Sequence, residues 1–216
     1  MRRWTCICAA LAALACPTPA GADARDIPVR AINAIEGRDG VRIEVVKGPA
    51  HISVEGRRPM LDRIDVAVRE GVVRVRPKRS LGVFGEAPEG VVVRIAAPEL
   101  SRVTLVNGAV LRGREVALGE IRAEVANGAV LTLTGTCAEG VFEAQRGGVL
   151  QAEGLACGNV TALASMGGVV RLQAQAAASA RASFGGVIEV FGDPKQRALE
   201  MSFGGAVRLQ HGAEKH

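Results

Sequence analysis

Six short glycine-containing segments recur at a nearly constant spacing in the second half of the chain. Their key glycines are Gly108, Gly128, Gly147, Gly167, Gly185 and Gly204, separated by 20, 19, 20, 18 and 19 residues. A fixed period of about 20 residues is typical of solenoid proteins, in which each repeat packs only against its neighbours. The repeat therefore predicts a stack of coils with a glycine turn in each coil.

The residues that flank each glycine alternate between apolar and polar, as in a strand with one buried face. Three positions after the glycines, the residues are Leu111, Leu131, Leu150, Val170, Ile188 and Val207. The position after these is polar in every repeat, whereas among the outward positions before the glycines Leu163 breaks the polar pattern. A helix is disfavoured because each glycine would cost it about 1 kcal/mol. We predict an all-β fold, with residues 99–209 forming a right-handed parallel β-helix of about six coils of ~20 residues.

Residues 23–98 alternate in the same way but lack the repeat. The segments 63–68 and 72–77 are separated by Glu70-Gly71, a signal for a hairpin turn. An open end of a coil exposes unpaired backbone groups, so a covering element is expected there. We predict that residues 23–98 form an irregular or antiparallel β layer that caps the first coil, and that 23–209 fold as one unit.

Residues 1–22 have the features of a signal peptide. Arg2 and Arg3 precede an apolar run at 5–16 that is too short to span a bilayer. The small residues before Ala22 predict cleavage after it, with cleavage after Ala24 as an alternative. We therefore predict an exported protein, in the periplasm first, with the cell surface or secretion as alternatives.

Two further features of the sequence concern membrane attachment. Cys16 ends the apolar run, so anchoring as a lipoprotein is a second possibility, but Ala13 lies where a lipobox usually has leucine. No other apolar run reaches spanning length, and no membrane span is predicted. Residues 210–216 form a polar tail.

The charge is weakly basic, with a formal net charge of +5 of which Arg2 and Arg3 supply two. Charge this small and dispersed gives no reason to expect binding to nucleic acid. One cluster stands out, namely Arg74, Arg76, Lys78 and Arg79. It is either a solvated strand end or a contact for an anionic envelope polysaccharide.

The sequence shows no catalytic constellation. Its three histidines have no metal-ligand spacing, and neither a phosphate-binding loop nor a nucleophile elbow occurs. We therefore predict no catalytic, cofactor-binding or metal-binding residues. Glu124 and Glu143 fall in one outward column on neighbouring coils, about 5 Å apart, like the carboxylates of a retaining glycosidase. The simpler interpretation, which we favour, is a solvated outer face.

Two further pairs of residues fall in shared columns. Phe184 and Phe203 precede successive glycines, which predicts an internal ring stack. Cys137 and Cys157, the only cysteines beyond the leader, each lie ten residues before a key glycine. A coil spacing of about 4.8 Å suits the Cα separation of a disulfide, so we predict a Cys137–Cys157 bond, with two buried free thiols as the alternative.

The segments at 98–113 (PELSRVTLVNGAVLRG) and 185–196 (GGVIEVFGDPKQ) resemble the bacterial auto-transporter adhesin head GIN domain family. The resemblance covers about residues 30–209, although turns that are rich in Ser-Gly in the family read Asn-Gly-Ala or Gly-Gly here. It implies an exported β-helical domain with no established biochemical activity.

The leading functional hypothesis is a non-enzymatic binding or scaffolding module of the cell envelope, adhesin-like, whose partner is an anionic envelope polysaccharide or another envelope protein. The alternative from another class is a polysaccharide-active lyase or glycosidase, which would need a groove with three or more convergent acids or bases. A third hypothesis is a self-associating structural protein, for which a flat exposed outer face or an uncovered terminal coil would be the sign.

Overall fold

The computed structural model describes residues 23–78 and 89–210, which are mostly β-strand with almost no helix. The elements are β1 (Asp23–Ile27), β2 (Ala34–Arg38), β3 (Arg42–Lys47), β4 (His51–Gly56), α1 (Arg58–Leu61), β5 (Ile64–Arg69), β6 (Val72–Pro77), β7 (Val92–Ala97), β8 (Arg102–Val106), β9 (Val110–Ala126), β10 (Val130–Gln145), β11 (Val149–Ser165), β12 (Val169–Ser183), β13 (Val187–Phe191), β14 (Gln196–Ser202) and β15 (Ala206–Gln210). The predicted leader, Arg79 and the tail beyond Gln210 lie outside the described residues. Within those residues, no helix has the length and apolar character needed to cross a membrane.

The four long strands β9 to β12 form the centre of a solenoid of about five turns. Each runs parallel to the next, and β13, β14 and β15 continue the stack. Leu131 is the register partner of Leu111 on one side and of Leu150 on the other. The predicted parallel β-helix is therefore confirmed, and the columns aligned on the glycines are the observed columns.

A tight turn begins each coil. The six key glycines have φ between +71° and +75°, and the residue before each glycine is also left-handed, as at Asn107 with φ +56°. The turn at Met166-Gly167 is closed by the Gly168 N–H, which donates to the Ser165 carbonyl at 3.0 Å. Two consecutive left-handed residues with this bond form a type I′ turn, for which Asn-Gly is the favoured sequence.

The N-terminal part closes the first end of the solenoid. β4 runs antiparallel to β7, β1 to β4, and β5 to β6, which confirms an antiparallel N-terminal layer. The parallel stack nevertheless extends into this part, because β2 pairs with β8 and β3 with β9. The turn between β2 and β3 is Asp39-Gly40, with φ of +58° and +78°, and Gly40 donates to Asn107 of the next coil.

The core is an apolar column in which one large side chain packs between two small ones. Phe142 is fully buried, and its register partners on the neighbouring coils are Ala123 and Ala162. Gly140 leaves room for the ring, because a Cβ there would lie 2.5 Å from a ring carbon. The described residues include no buried polar or charged side chain.

The first turn position forms an outer ridge along the solenoid. Phe184 and Phe203 stack with ring centroids 4.8 Å apart, but 59% and 76% of their surfaces are exposed. The predicted stack exists, and its predicted internal location is wrong because the left-handed turn directs these side chains outward. Earlier on the ridge, the Asn127 amide donates to Asn107 Oδ1 at 2.9 Å, so the asparagines form a ladder.

Candidate functional site: a groove across four coils

A depression on the described surface runs across β10, β11, β12 and β14. Its floor is one outward column of small side chains, which in coil order are Val141, Thr161, Ser179 and Ala198. The coils stack at about 4.8 Å, so this floor extends for about 14 Å along the solenoid. Because the column lies on parallel strands in register, the floor presents a hydroxyl on each of two successive coils.

The groove holds ≈ 370 Å³, and it continues into a smaller recess of ≈ 140 Å³ that shares part of the floor. One wall is an amide-rich column containing Asn159 and Gln196, next to Glu139. The recess is lined by Leu163 and by the pair Arg181 and Glu200. Leu163, the outward position that breaks the polar pattern in the sequence, thus marks the groove.

The charged side chains of the groove are largely engaged with one another. Arg181 Nε lies 2.7 Å from Glu200 Oε2, and this hydrogen bond lowers the pKa of Glu200 and raises that of Arg181. Arg197 donates to the Pro194 carbonyl at 2.7 Å and pairs with Asp193. The groups left to meet a ligand are mainly hydroxyls and amides, and the lining contains no cluster of three acids or three bases.

The candidate carboxylate pair lies beside the groove. Glu124 and Glu143 are register partners on β9 and β10, as the sequence predicts. Arg122 contacts both carboxylates, with Nε 2.7 Å from Glu124 and Nη2 3.7 Å from Glu143, and its pKa is raised by the hydrogen bond to Glu124. Gln145 also donates to Glu143. Both carboxylates therefore have cationic or amide partners and do not face an open site as a free pair.

The basic cluster is partly used in cross-strand ion pairs. Arg74 Nε lies 3.0 Å from Glu36, and Arg76 Nε lies 2.9 Å from Asp65. Both arginines project from the outer face of β6, and Lys78 follows it. Arg79 is outside the described residues. Since opposite charges on neighbouring strands stabilise a sheet, the two paired arginines have a structural role whether or not they contact a polyanion.

The two cysteines are register partners on β10 and β11, with Cα atoms 4.5 Å apart and their sulfur atoms in bonding contact. Both are buried. The equal offset from the glycines thus places them where the sequence predicts. Elsewhere in the described part of the chain, no group of three or more potential metal ligands occurs.

Comparisons with known proteins identify relatives by family and by fold. Residues 31–194 match the family described as "Putative auto-transporter adhesin, head GIN domain". A "putative adhesin" from Bacteroides fragilis has a similar structure, with a TM-score of 0.68 and 16% identity over 89% of this chain and 98% of that one. A "putative adhesin" from Parabacteroides distasonis has a TM-score of 0.52 and 12% identity over 88% and 98%. No match is found among curated proteins.

Proposed function

We propose that this chain, which belongs to the auto-transporter adhesin head GIN domain family, is an exported, non-enzymatic binding module of the bacterial cell envelope. The features of a signal peptide at residues 1–22 support export. An adhesin-like role agrees with the name of the family. The observation that carries the proposal is the open groove lined by hydroxyls and amides.

The groove fits an extended polar chain. It is long and shallow, and Thr161 and Ser179 repeat a hydroxyl at the spacing of the coils, with Asn159 and Gln196 along one wall. Hydroxyls and amides both donate and accept hydrogen bonds, which suits the hydroxyls of a glycan. We therefore assign the groove to a segment of an envelope polysaccharide without a dense charge.

Blocking the groove tests this function. Thr161→Arg and Ser179→Arg place a long charged side chain on the floor, whereas Thr136→Arg makes the same change at an exposed position outside the groove. We expect the exported protein to be retained on envelope fractions, and both groove variants to lose retention while the control keeps it. Retention that survives both groove variants, or that survives removal of the glycan from the fraction, contradicts the assignment.

The alternative, a polysaccharide-active enzyme, is favoured by one observation, the adjacency of Glu124 and Glu143. Incubation of the exported protein with the retained fraction measures it directly. We expect no release of reducing ends or of unsaturated sugars. Release that disappears in Glu143→Gln, in a variant that still melts at the wild-type temperature, would establish the enzyme and refute the non-enzymatic assignment.

The basic cluster has its own test. If Arg74, Arg76, Lys78 and Arg79 contact a polyanion, Lys78→Ala with Arg79→Ala should weaken retention on an anionic polysaccharide column and reduce its dependence on salt. These two are preferable to Arg74 and Arg76, whose ion pairs with Glu36 and Asp65 make their loss structural as well. Unchanged elution in the double variant would assign the cluster to the solvated surface.

A further inference from the structure

The C-terminal end of the solenoid exposes residues that belong to the core. Met201 continues the column of Ala164 and Ala182, which are 1% and 0% exposed, yet 58% of Met201 is exposed. Leu199, Val207 and Leu209 also face inward and are only partly buried. Within the described residues, β14 and β15 each pair with a strand of the preceding coil and with none beyond it. This contrasts with the N-terminal end, which antiparallel strands cover.

The free edge of β15 has backbone groups ready to pair. The Ala206 N–H donates to Gly186, and the Gln210 carbonyl accepts from Gly192, both in the preceding coil. Because backbone groups alternate direction along a strand, those of Val207 and Leu209 point towards the open end. An exposed edge of this kind is a template for pairing with another strand.

We propose that this end binds the same end of a second copy of the chain, through a two-fold axis at the turn centred on Gly204. Such an axis places β14 of each copy against β15 of the other, and reverses the chain direction, so that both ladders are antiparallel. Four residues of one copy are directly opposed to four of the other. The pairs are Ser202 with the second copy's Ala206, Met201 with its Val207, Glu200 with its Arg208, and Leu199 with its Leu209.

This register matches side chains by chemistry. Directly opposed residues of an antiparallel ladder lie on the same face, so the inward residues Leu199 and Met201 meet inward residues of the other copy. Phe203, which is 76% exposed, lies beside the two-fold axis in both copies. The interface thus continues the core across the junction and covers the exposed end of the aromatic ridge.

The register also continues the charge pattern. On one side of the turn, Arg181 pairs with Glu200 at 2.7 Å, and on the other side Glu189 lies between Arg171 and Arg208, at 2.8 and 3.6 Å. Stacking the two copies places Glu200 beside Arg208 of the second copy. The outward column then alternates in sign without a break from one copy to the next, and the two-fold axis repeats it on the other side. A shift by two residues would lose this match.

Charge exchange tests the proposal. We expect the exported wild-type protein to be a dimer in sedimentation and light-scattering measurements, dissociating on dilution. Glu200→Arg alone and Arg208→Glu alone each oppose like charges twice per interface and should weaken the dimer by about tenfold or more. An equimolar mixture of the two variants should form a heterodimer, because every opposed pair is then opposite in sign. Glu120→Arg and Arg112→Glu, which change charge away from this end, serve as controls.

Several results would overturn the proposal. They are a monomeric wild type across the accessible concentration range, single variants that dimerise as the wild type does, or a mixture that stays monomeric while both variants melt cooperatively. Deletion of residues 211–216 tests the alternative that the tail, and not a second copy, covers this end. Unchanged dimerisation supports the second copy, whereas a dimer that forms only after the deletion shows that the tail covers the end.

Discussion

Glu189 is the most informative single residue for testing the stacking of the coils. It lies on β13, with Oε2 2.8 Å from Arg171 Nε of the preceding coil and Oε1 3.6 Å from Arg208 Nη1 of the next. Only 17% of its side chain is exposed, so the pair with Arg171 is better shielded from water than most surface ion pairs. Replacing it by lysine removes both pairs and creates a row of three cations.

The expected loss follows from these contacts. An exposed ion pair contributes about 0.2–1 kcal/mol, and like charges directly opposed on neighbouring strands cost a similar amount. We expect Glu189→Lys to lower the free energy of unfolding by about 1–2 kcal/mol. For a domain of this size, that corresponds to a fall in Tm of about 2–8 °C.

Thermal unfolding at low salt, followed by circular dichroism, measures this effect. Glu153→Lys is the matched control, because Glu153 is exposed and takes part in no ion pair with the described residues. Glu189→Gln removes the pairs without adding a charge and should fall between the control and the lysine variant. High salt should narrow the differences, since it screens exposed charges. Equal Tm values for both lysine variants at low salt would mean that the assigned column is wrong.

Two further predictions concern the turns and the cysteines. Thiol titration of the unfolded, unreduced exported protein should find no reactive thiol, and reduction of the Cys137–Cys157 bond should cost about 3 kcal/mol in the chain-entropy model; two free thiols would contradict the bond. Gly168→Ala should destabilise more than Gly167→Ala in urea unfolding. A Cβ at Gly168 overlaps a backbone oxygen of the preceding coil, with a cost of about 1–3 kcal/mol for overpacking. A Cβ at Gly167 would meet no atom within 4 Å, so Gly167→Ala adds only the strain of a positive φ. Equal losses would show that the coil spacing relaxes.

The sequence predicts the register because two independent patterns agree. The glycines fix one residue per coil, and the period-two alternation then fixes which side chains face inward. The positions of Cys137 and Cys157 follow from that alignment alone and are those observed. Where both patterns are present, from β9 to β13, the predicted and observed columns coincide.

The start of the stack could not be predicted from these two patterns. The coil formed by β2 and β3, which pair in parallel with β6 and β7 on one side and with β8 and β9 on the other, has the same left-handed turn at Asp39-Gly40. However, 68 residues separate Asp39 from Asn107, to which it is hydrogen-bonded. The intervening chain forms the antiparallel cap and the strands β6 and β7. The period is therefore interrupted before it can be recognised. The groove could not be predicted from the sequence either, because small outward residues such as Ser179 and Ala198 have no distinctive pattern.

The outward position of the phenylalanine pair follows from the turn and not from the strand pattern. Counting by twos across a turn assumes extended residues, whereas Phe184 and Phe203 have φ of +48° and +47°. A bulky residue in this region costs about 1–2 kcal/mol relative to glycine, and Asn, as at Asn107 and Asn127, is better tolerated. A stacked ring pair stabilises the fold by about 0.5–1.5 kcal/mol. This stabilisation offsets the strain of at most about one of the two turns. Contact beyond its own coil would let Phe203, which is 76% exposed, bury further apolar surface and offset part of the remaining strain.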